Sequence, residues 1–228
     1  MALGHAPSIV MDGLIAYMDV ANTRCYPGSG SNITDLINFT ASTGASAIQI
    51  SAIGASFGTN RNLYVFTTAK IPNTGYSKCC WFNLSDVTTF QPLICGTNST
   101  RHCMWMNKTA NLTASHSNST AFSTPTFTSI AGTTTLSTGI WYFGAVTYSS
   151  TSGFNIYLNN RRDQTSATTQ TFGDSSNDNY FGYFGDFFTS PALPTLNGIL
   201  GPTMYYNRVL SAAEILQNYH ATKKRYGL

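Results

Sequence analysis

Charge is what this sequence has least of. Asp, Glu, Lys and Arg make up 9% of its 228 residues, against about a quarter in an ordinary globular chain. Its polar surface must therefore be built from Ser, Thr and Asn. Such a surface dissolves through hydroxyls and amides and does little to keep copies apart, which favours an assembly or another crowded or secreted setting. The formal charge of +3 is too small for an electrostatic grip on nucleic acid. Glutamate is scarcer still, for Glu214 is the only one, beside eight Asp. A glycosidase of the usual kind needs two carboxyl groups facing each other across a cleft, and this chain has few to offer.

Other absences narrow the field. Met1 to Val10 has no basic region followed by a long apolar run, so no secretory signal is read there. No window of about 18 apolar residues exists, so no membrane-spanning helix is expected. No glycine-rich phosphate loop follows a strand and opens a helix. Zinc-ligand spacing is missing around His102, Cys103 and His116. Asn-x-Ser/Thr triplets begin at Asn32, Asn38, Asn83, Asn98, Asn107, Asn111 and Asn118, a product of composition rather than a glycosylation signal. The five cysteines are an odd number. Reduced, semi-buried thiols are one reading; a Cys95–Cys103 bridge across a hairpin is the other. Cys79 and Cys80 are strand neighbours and must point to opposite faces.

What is present is β-pattern. The stretch Gly139 to Thr165 divides into two strands and a turn. Ile140 to Tyr148 is aromatic and β-branched, suited to a pleated surface. Ser149 to Gly153 is a run of turn formers. Phe154, Ile156 and Leu158 then fall on one face and are expected to be buried. Asn159-Asn160 tolerates the left-handed backbone of a second tight turn. Further strands are read at Asp12–Val20, Asn62–Thr67, Lys78–Leu84, Gln91–Cys95, Arg101–Met106 and Ile199–Tyr206, with weaker ones at Leu112–His116 and Ala121–Ile130. Asn32 to Leu36 reads as a short turn of helix. Strands at this rhythm predict an all-β jelly-roll sandwich of two antiparallel sheets, in one domain over residues 1–228.

The end differs in kind. Ser211-Ala212-Ala213-Glu214 is a capping box, with Leu210 and Ile215 placed as a hydrophobic staple. A helix from about Ala212 to His220 should follow and pack by Ile215, Leu216 and Tyr219. That accounts for the sole Glu as structure. Residues 1–10 read as an N-terminal arm and 221–228 as a basic tail.

Three segments together resemble one family. GLIAYMDVANTRCYPGSGSNITDL, from Gly13, is similar to the opening of concanavalin A-like, laminin-G-type domains found in phage virion proteins. The 139–165 hairpin resembles their central pair. NGILGPTMYYNRVLSAAEILQNYHATKKRY, from Asn197, resembles their closing strand and helix. The resemblance implies the jelly-roll sandwich, a fold that hosts lectins, glucanases, adhesion modules and viral structural proteins. Glucanases of this fold carry an E-x-D-x-x-E strand motif that is absent here. Many relatives carry an Asp near the start of the final strand, where this chain has Gly198-Ile199-Leu200-Gly201-Pro202.

Four sets of residues are candidates for function. Asp174, Asp178 and Asp186, with Asn177 and Asn179, offer oxygen ligands for calcium, though turn residues belong in such a run anyway; no other cofactor is indicated. Tyr180, Phe181, Tyr183, Phe184, Phe187 and Phe188 could be core, a protein interface or a sugar-stacking platform. Trp81, Trp105 and Trp141 read as core. Lys223, Lys224 and Arg225 read as a solvated tail at a helix C-terminus, or as a contact for an acidic partner. The expectation is a non-enzymatic virion protein that decorates and cements a phage capsid, assembled in the bacterial cytoplasm. Its partners would be the major capsid protein or other virion proteins and a second copy of itself, with a dimer as the default symmetry. The alternative is a carbohydrate-binding protein that attaches to a host glycan.

Overall fold

The computed structural model describes residues 7–30, 32–37, 41–43, 49–57, 66–67, 71–96, 102–117, 127–172, 179–183 and 195–228. The strands, in chain order, are β1 (Leu14–Met18), β2 (Asn32–Thr34), β3 (Ala41–Thr43), β4 (Gln49–Ser51), β5 (Gly54–Phe57), β6 (Phe66–Thr67), β7 (Gly75–Leu84) and β8 (Gln91–Gly96). They continue with β9 (His102–Met106), β10 (Leu112–Ser117), β11 (Phe127–Ala131), β12 (Trp141–Ser149), β13 (Gly153–Leu158), β14 (Arg161–Ser166), β15 (Asn179–Phe181) and β16 (Gly198–Tyr206). One helix, α1 (Ala212–Thr222), and a 3-10 turn (Lys223–Tyr226) follow. Among the described residues, no helix is long and apolar enough to cross a membrane.

Two antiparallel sheets make the expected sandwich. One has eight strands in the order β14-β13-β12-β7-β16-β5-β4, with β1 also on β16. The other has six, in the order β11-β10-β9-β8-β15-β6. The hairpin read at 139–165 forms the β14-β13-β12 end of the first sheet. Its long strand β12 pairs with β7 from Trp141↔Asn83 to Ser149↔Gly75. Phe154, Ile156 and Leu158 lie buried between the sheets as expected, alongside Phe82, Met104 and Leu112. Gly144 makes room for side chains in the core, since a Cβ there would sit 2.8 Å from Met104 Cε of the other sheet and from Phe82 Cε1 of the neighbouring strand.

The first sheet is buried on its outer face too. Cys79, Trp81, Phe143, Tyr157, Met204 and Tyr206 form a second apolar cluster there with Leu210 and Ile215. This fits the apolar stretch Cys79–Phe82 at the centre of β7, since both of its faces are covered. Cys79 faces this outer cluster and Cys80 the inter-sheet core. Strand β16 shows how a proline can sit inside a sheet. It pairs with β5 through Gly198, Ile199 and Leu200, and with β1 from Thr203 onward. Pro202, which has no N–H to give, occupies the gap where the partner changes.

Three expectations need correction. Asn32–Thr34 is a strand, not a helical turn, because Ile33 points into the core and the Thr34 amide donates to the Cys25 carbonyl at 2.8 Å. The helix runs two residues past His220, to Thr222. The 221–228 tail is docked rather than free, although Lys224, Gly227 and Leu228 stay exposed. Its 3-10 turn lays Tyr226 on Trp81 and Trp141, with ring centroids 4.4 and 4.2 Å apart. Of the strand read at Asn62–Thr67, only Phe66–Thr67 falls among the described residues.

Candidate functional site

The residues that carry the sequence resemblance turn out to fasten the two ends of the chain together. The capping box forms as read, with the Glu214 amide donating to Ser211 Oγ and the Ser211 amide donating back to Glu214. Glu214 also takes two hydrogen bonds from the Arg208 guanidinium, at 2.6 and 3.1 Å, and Arg208 reaches Asp12 at 2.8 Å. The Arg208 bonds, together with those from Ser211, hold the Glu214 carboxyl down from its ordinary 4.5 to about 2. Asn218, fully buried on α1, accepts from the Val10 amide and donates to the Tyr206 hydroxyl. The Gln217 amide donates to the Ser8 carbonyl, so residues 8–10 of the arm lie against the helix.

The basic tail is fastened in the same way. Arg225 makes a two-armed contact with Asp19, at 2.6 and 2.8 Å, and Asp19 is buried. Lys223 lies over the Tyr219 ring at 5.5 Å, while Lys224 is exposed. Arg225 is therefore engaged by its own chain, unlike the free basic contact read from the sequence.

A buried polar cluster crosses the inter-sheet core. Lys78 donates to the carbonyls of Ile94 and His102 at 3.2 and 3.0 Å and to His102 Nδ1 at 2.6 Å. Burial pushes Lys78 down from 10.5 to about 8. His116 Nδ1–H donates to the Gln170 carbonyl, which leaves Nε2 to accept from the Tyr76 hydroxyl at 2.7 Å. Burial lowers His116 from 6.5 to about 3 and puts His102 well below its ordinary value. Among the described residues, no group of three or more His, Cys, Asp or Glu could hold a metal ion.

All five thiols are free and fully buried, deeper than the semi-buried placement expected. Cys95 and Cys103 do stand opposite each other on β8 and β9, unbridged. Trp81 and Trp105 are buried, and Trp141 is half-buried under Tyr226. In the aromatic run, Phe181 is core and meets Tyr205 edge-on, whereas Tyr180 and Tyr183 are half-buried and pair edge to face at 5.6 Å. Asp174, Asp178, Asp186, Phe184, Phe187 and Phe188 lie outside the described residues.

An open groove sits elsewhere, beside the turn from β13 to β14. It is lined by Thr134, Tyr142, Leu158, Asn159, Asn160, Arg161 and Asp163 and holds about 280 Å³. The fold positions it closely. Asn159 takes the left-handed conformation expected of it, with φ 55°. Its side chain accepts from the Phe143 amide at 3.0 Å and its amide donates to the Phe143 carbonyl at 2.6 Å, so the turn is locked to β12. Tyr142 is set by stacking on Phe82 and by the Ser137 amide donating to its hydroxyl. Asp163 is spent on the loop opposite, taking bonds from the amides and hydroxyls of Thr133 and Thr134. Asn160 and Arg161 are exposed. A second groove, on the other face of the same turn, is lined by Tyr157, Asn160, Arg162, Ala212 and Ile215. From the sequence, Asn159-Asn160 reads only as a tight turn and not as a site. The available signal was Arg161-Arg162-Asp163, three adjacent charges in a chain with few, directly after a turn.

Comparison with known proteins supports the fold. The family described as the concanavalin A-like lectin/glucanases superfamily matches residues 57–216. No curated protein matches the chain in sequence. A Trypanosoma rangeli sialidase solved with sialic acid is similar, with a TM-score of 0.64 at 13% identity, over 93% of this chain and 33% of that one. The binding domain of Paraclostridial Mosquitocidal Protein 1 is similar at 12% identity with a TM-score of 0.64, over 91% of this chain and 52% of that one. Domain 4 of AbnA, a GH43 extracellular arabinanase from Geobacillus stearothermophilus solved with arabinotriose, has a TM-score of 0.65 at 14% identity, over 90% of this chain and 98% of its own. This chain thus spans about a third of the length of the sialidases it resembles. These neighbours overturn the expectation that the chain is no enzyme. That expectation rested on the scarcity of carboxylates and a missing acid motif, yet sugar-cleaving enzymes contain this fold. The likeness itself carries the fold alone.

Proposed function

Because the chain belongs to the concanavalin A-like lectin/glucanase superfamily, we propose that it is a carbohydrate-binding domain whose ligand sits in the groove beside the 159–160 turn. The observation that carries this reading is the mix of groups lining one groove: the half-buried Tyr142 ring and Leu158 as apolar surface, and the Asn159 and Asn160 amides, Thr134 and Arg161 as hydrogen-bonding groups. A sugar ring needs that pairing, a C–H face against apolar surface and hydroxyls against fixed donors and acceptors. The similar arabinanase domain was solved with arabinotriose, which makes glycan binding a reasonable use of the fold. Asn160 is exposed and has no structural duty among the described contacts. Isothermal titration across a panel of neutral and acidic oligosaccharides should find a saturable ligand. Asn160→Ala should weaken it about tenfold, the worth of one or two hydrogen bonds, with an unchanged melting temperature. No binding by any member of the panel would end this reading.

A second reading concerns the setting. The opening and closing segments resemble those of phage virion proteins, and 9% charge suits a protein held within an assembly. We infer from these two features a particle-bound domain that decorates a capsid, with the major capsid protein as partner. A glycan groove on such a domain would face the host. Quantitative mass spectrometry of purified particles should find hundreds of copies per particle; absence from particles would sink the idea.

A further inference from the structure

Within the proposed groove, and resting on that reading, the geometry points to a ligand that carries a carboxylate: a hexuronic-acid glycan rather than a neutral one. Two charges line the groove, and they differ in what they have left to give. Both Asp163 oxygens are engaged, Oδ1 by the Thr133 and Thr134 hydroxyls at 3.0 and 2.6 Å and Oδ2 by the Thr133 amide at 2.9 Å. The carboxylate comes so close to Gly132 that a Cβ there would meet Oδ2 at 2.1 Å. Asp163 thus serves to pin the 132–134 loop, and most of its accepting capacity is taken there.

Arg161, in the same groove, has no such partner. Among the described residues, no carboxylate or carbonyl lies within hydrogen-bond distance of its guanidinium, although Asp163 is two residues away. Arg162 shares that lack, but two other arginines do not. Arg208 is doubly bonded to Glu214 and paired with Asp12, and Arg225 is doubly bonded to Asp19. A guanidinium presents a planar fork that matches a carboxylate through two parallel N–H bonds. Arg161 lines the groove together with Asn159, Asn160, Tyr142 and Leu158. A pyranose that lays its ring on the apolar surface can offer its C6 carboxylate to Arg161 and its hydroxyls to the amides.

Arg162 supplies an internal control. It follows Arg161 on β14, so it points to the opposite face of the sheet and lines the other groove. Both arginines would discourage strand addition at this sheet edge, but only Arg161 shares a groove with Tyr142.

The test compares oligomers of galacturonic and glucuronic acid with their methyl esters, which keep the ring and remove the charge. Calorimetry should show the acid forms binding at least tenfold more tightly, with a gap that narrows in higher salt. Arg161→Gln should collapse the gap to less than threefold, and Arg162→Gln should leave it. Equal affinity for acid and ester, or a gap untouched by Arg161→Gln, overturns the carboxylate inference while glycan binding stands. If neither form binds, nor any neutral glycan, both readings fall together.

Discussion

At the scale of single residues, two neighbouring cations in the tail behave oppositely. Arg225 reaches across the fold to Asp19, whose carboxylate is buried and also accepts from the Tyr17 hydroxyl and the Ala21 amide. Removing the guanidinium leaves a buried carboxylate without its cation, and an uncompensated buried charge is costly. The outer half of the pair is partly solvated, so the penalty falls below that of a fully buried pair. Arg225→Ala should therefore cost about 2 kcal/mol. Lys224→Ala, at an exposed neighbour, should stay within about 0.5 kcal/mol of the parent. Urea unfolding of the two variants checks this. Equal, small losses would mean that the tail is solvated, as the sequence alone suggested.

At the scale of elements, what the sequence discloses is what lies close along the chain. The capping box of α1 was legible because Ser211 and Glu214 are one helical turn apart, and the 139–165 hairpin because its alternation and turn residues are local. The Leu210–Ile215 staple was legible for the same reason, and both side chains are buried in one cluster. The tail was not legible. Arg225 and Asp19 are 206 positions apart, and Tyr226 rests on Trp81 and Trp141, which arrive on different strands. Strand β2 was misread as a helical turn because three residues carry too little pattern to outweigh the turn formers around them. The groove was missed because it is assembled from three places: Thr134, Tyr142 on β12, and the 158–163 turn. The side chains that define it are ordinary ones, and only their convergence sets them apart.

At the scale of the whole molecule, the buried polar cluster makes stability depend on pH in a defined way. Folding keeps His102 and His116 neutral, His116 down to about pH 3 against an ordinary 6.5. In that window the unfolded chain binds protons that the folded chain refuses, so acid favours unfolding. The stability these histidines allow is complete above pH 6.5 and drains away below it, for His116 as pH falls toward 3. Each proton contributes a slope of about 1.4 kcal/mol per pH unit, so the two together approach 2.7. Glu214 joins later. Its carboxyl is held near 2, so its contribution is present above 4.5 and is lost between 4.5 and 2. Lys78 works at the other end. Its depression to about 8 is a penalty that holds below pH 8 and is relieved as pH rises toward 10.5, while the buried thiols, pushed up to about 12 at Cys79, oppose that gain. The protein should thus be most stable near neutral to mildly alkaline pH. Its urea midpoint should fall steadily from pH 6.5 to 4.5, before Glu214 contributes. A midpoint unchanged across that interval would show that the two histidines are free to take a proton in the folded state, and that the cluster around Lys78 is open to water.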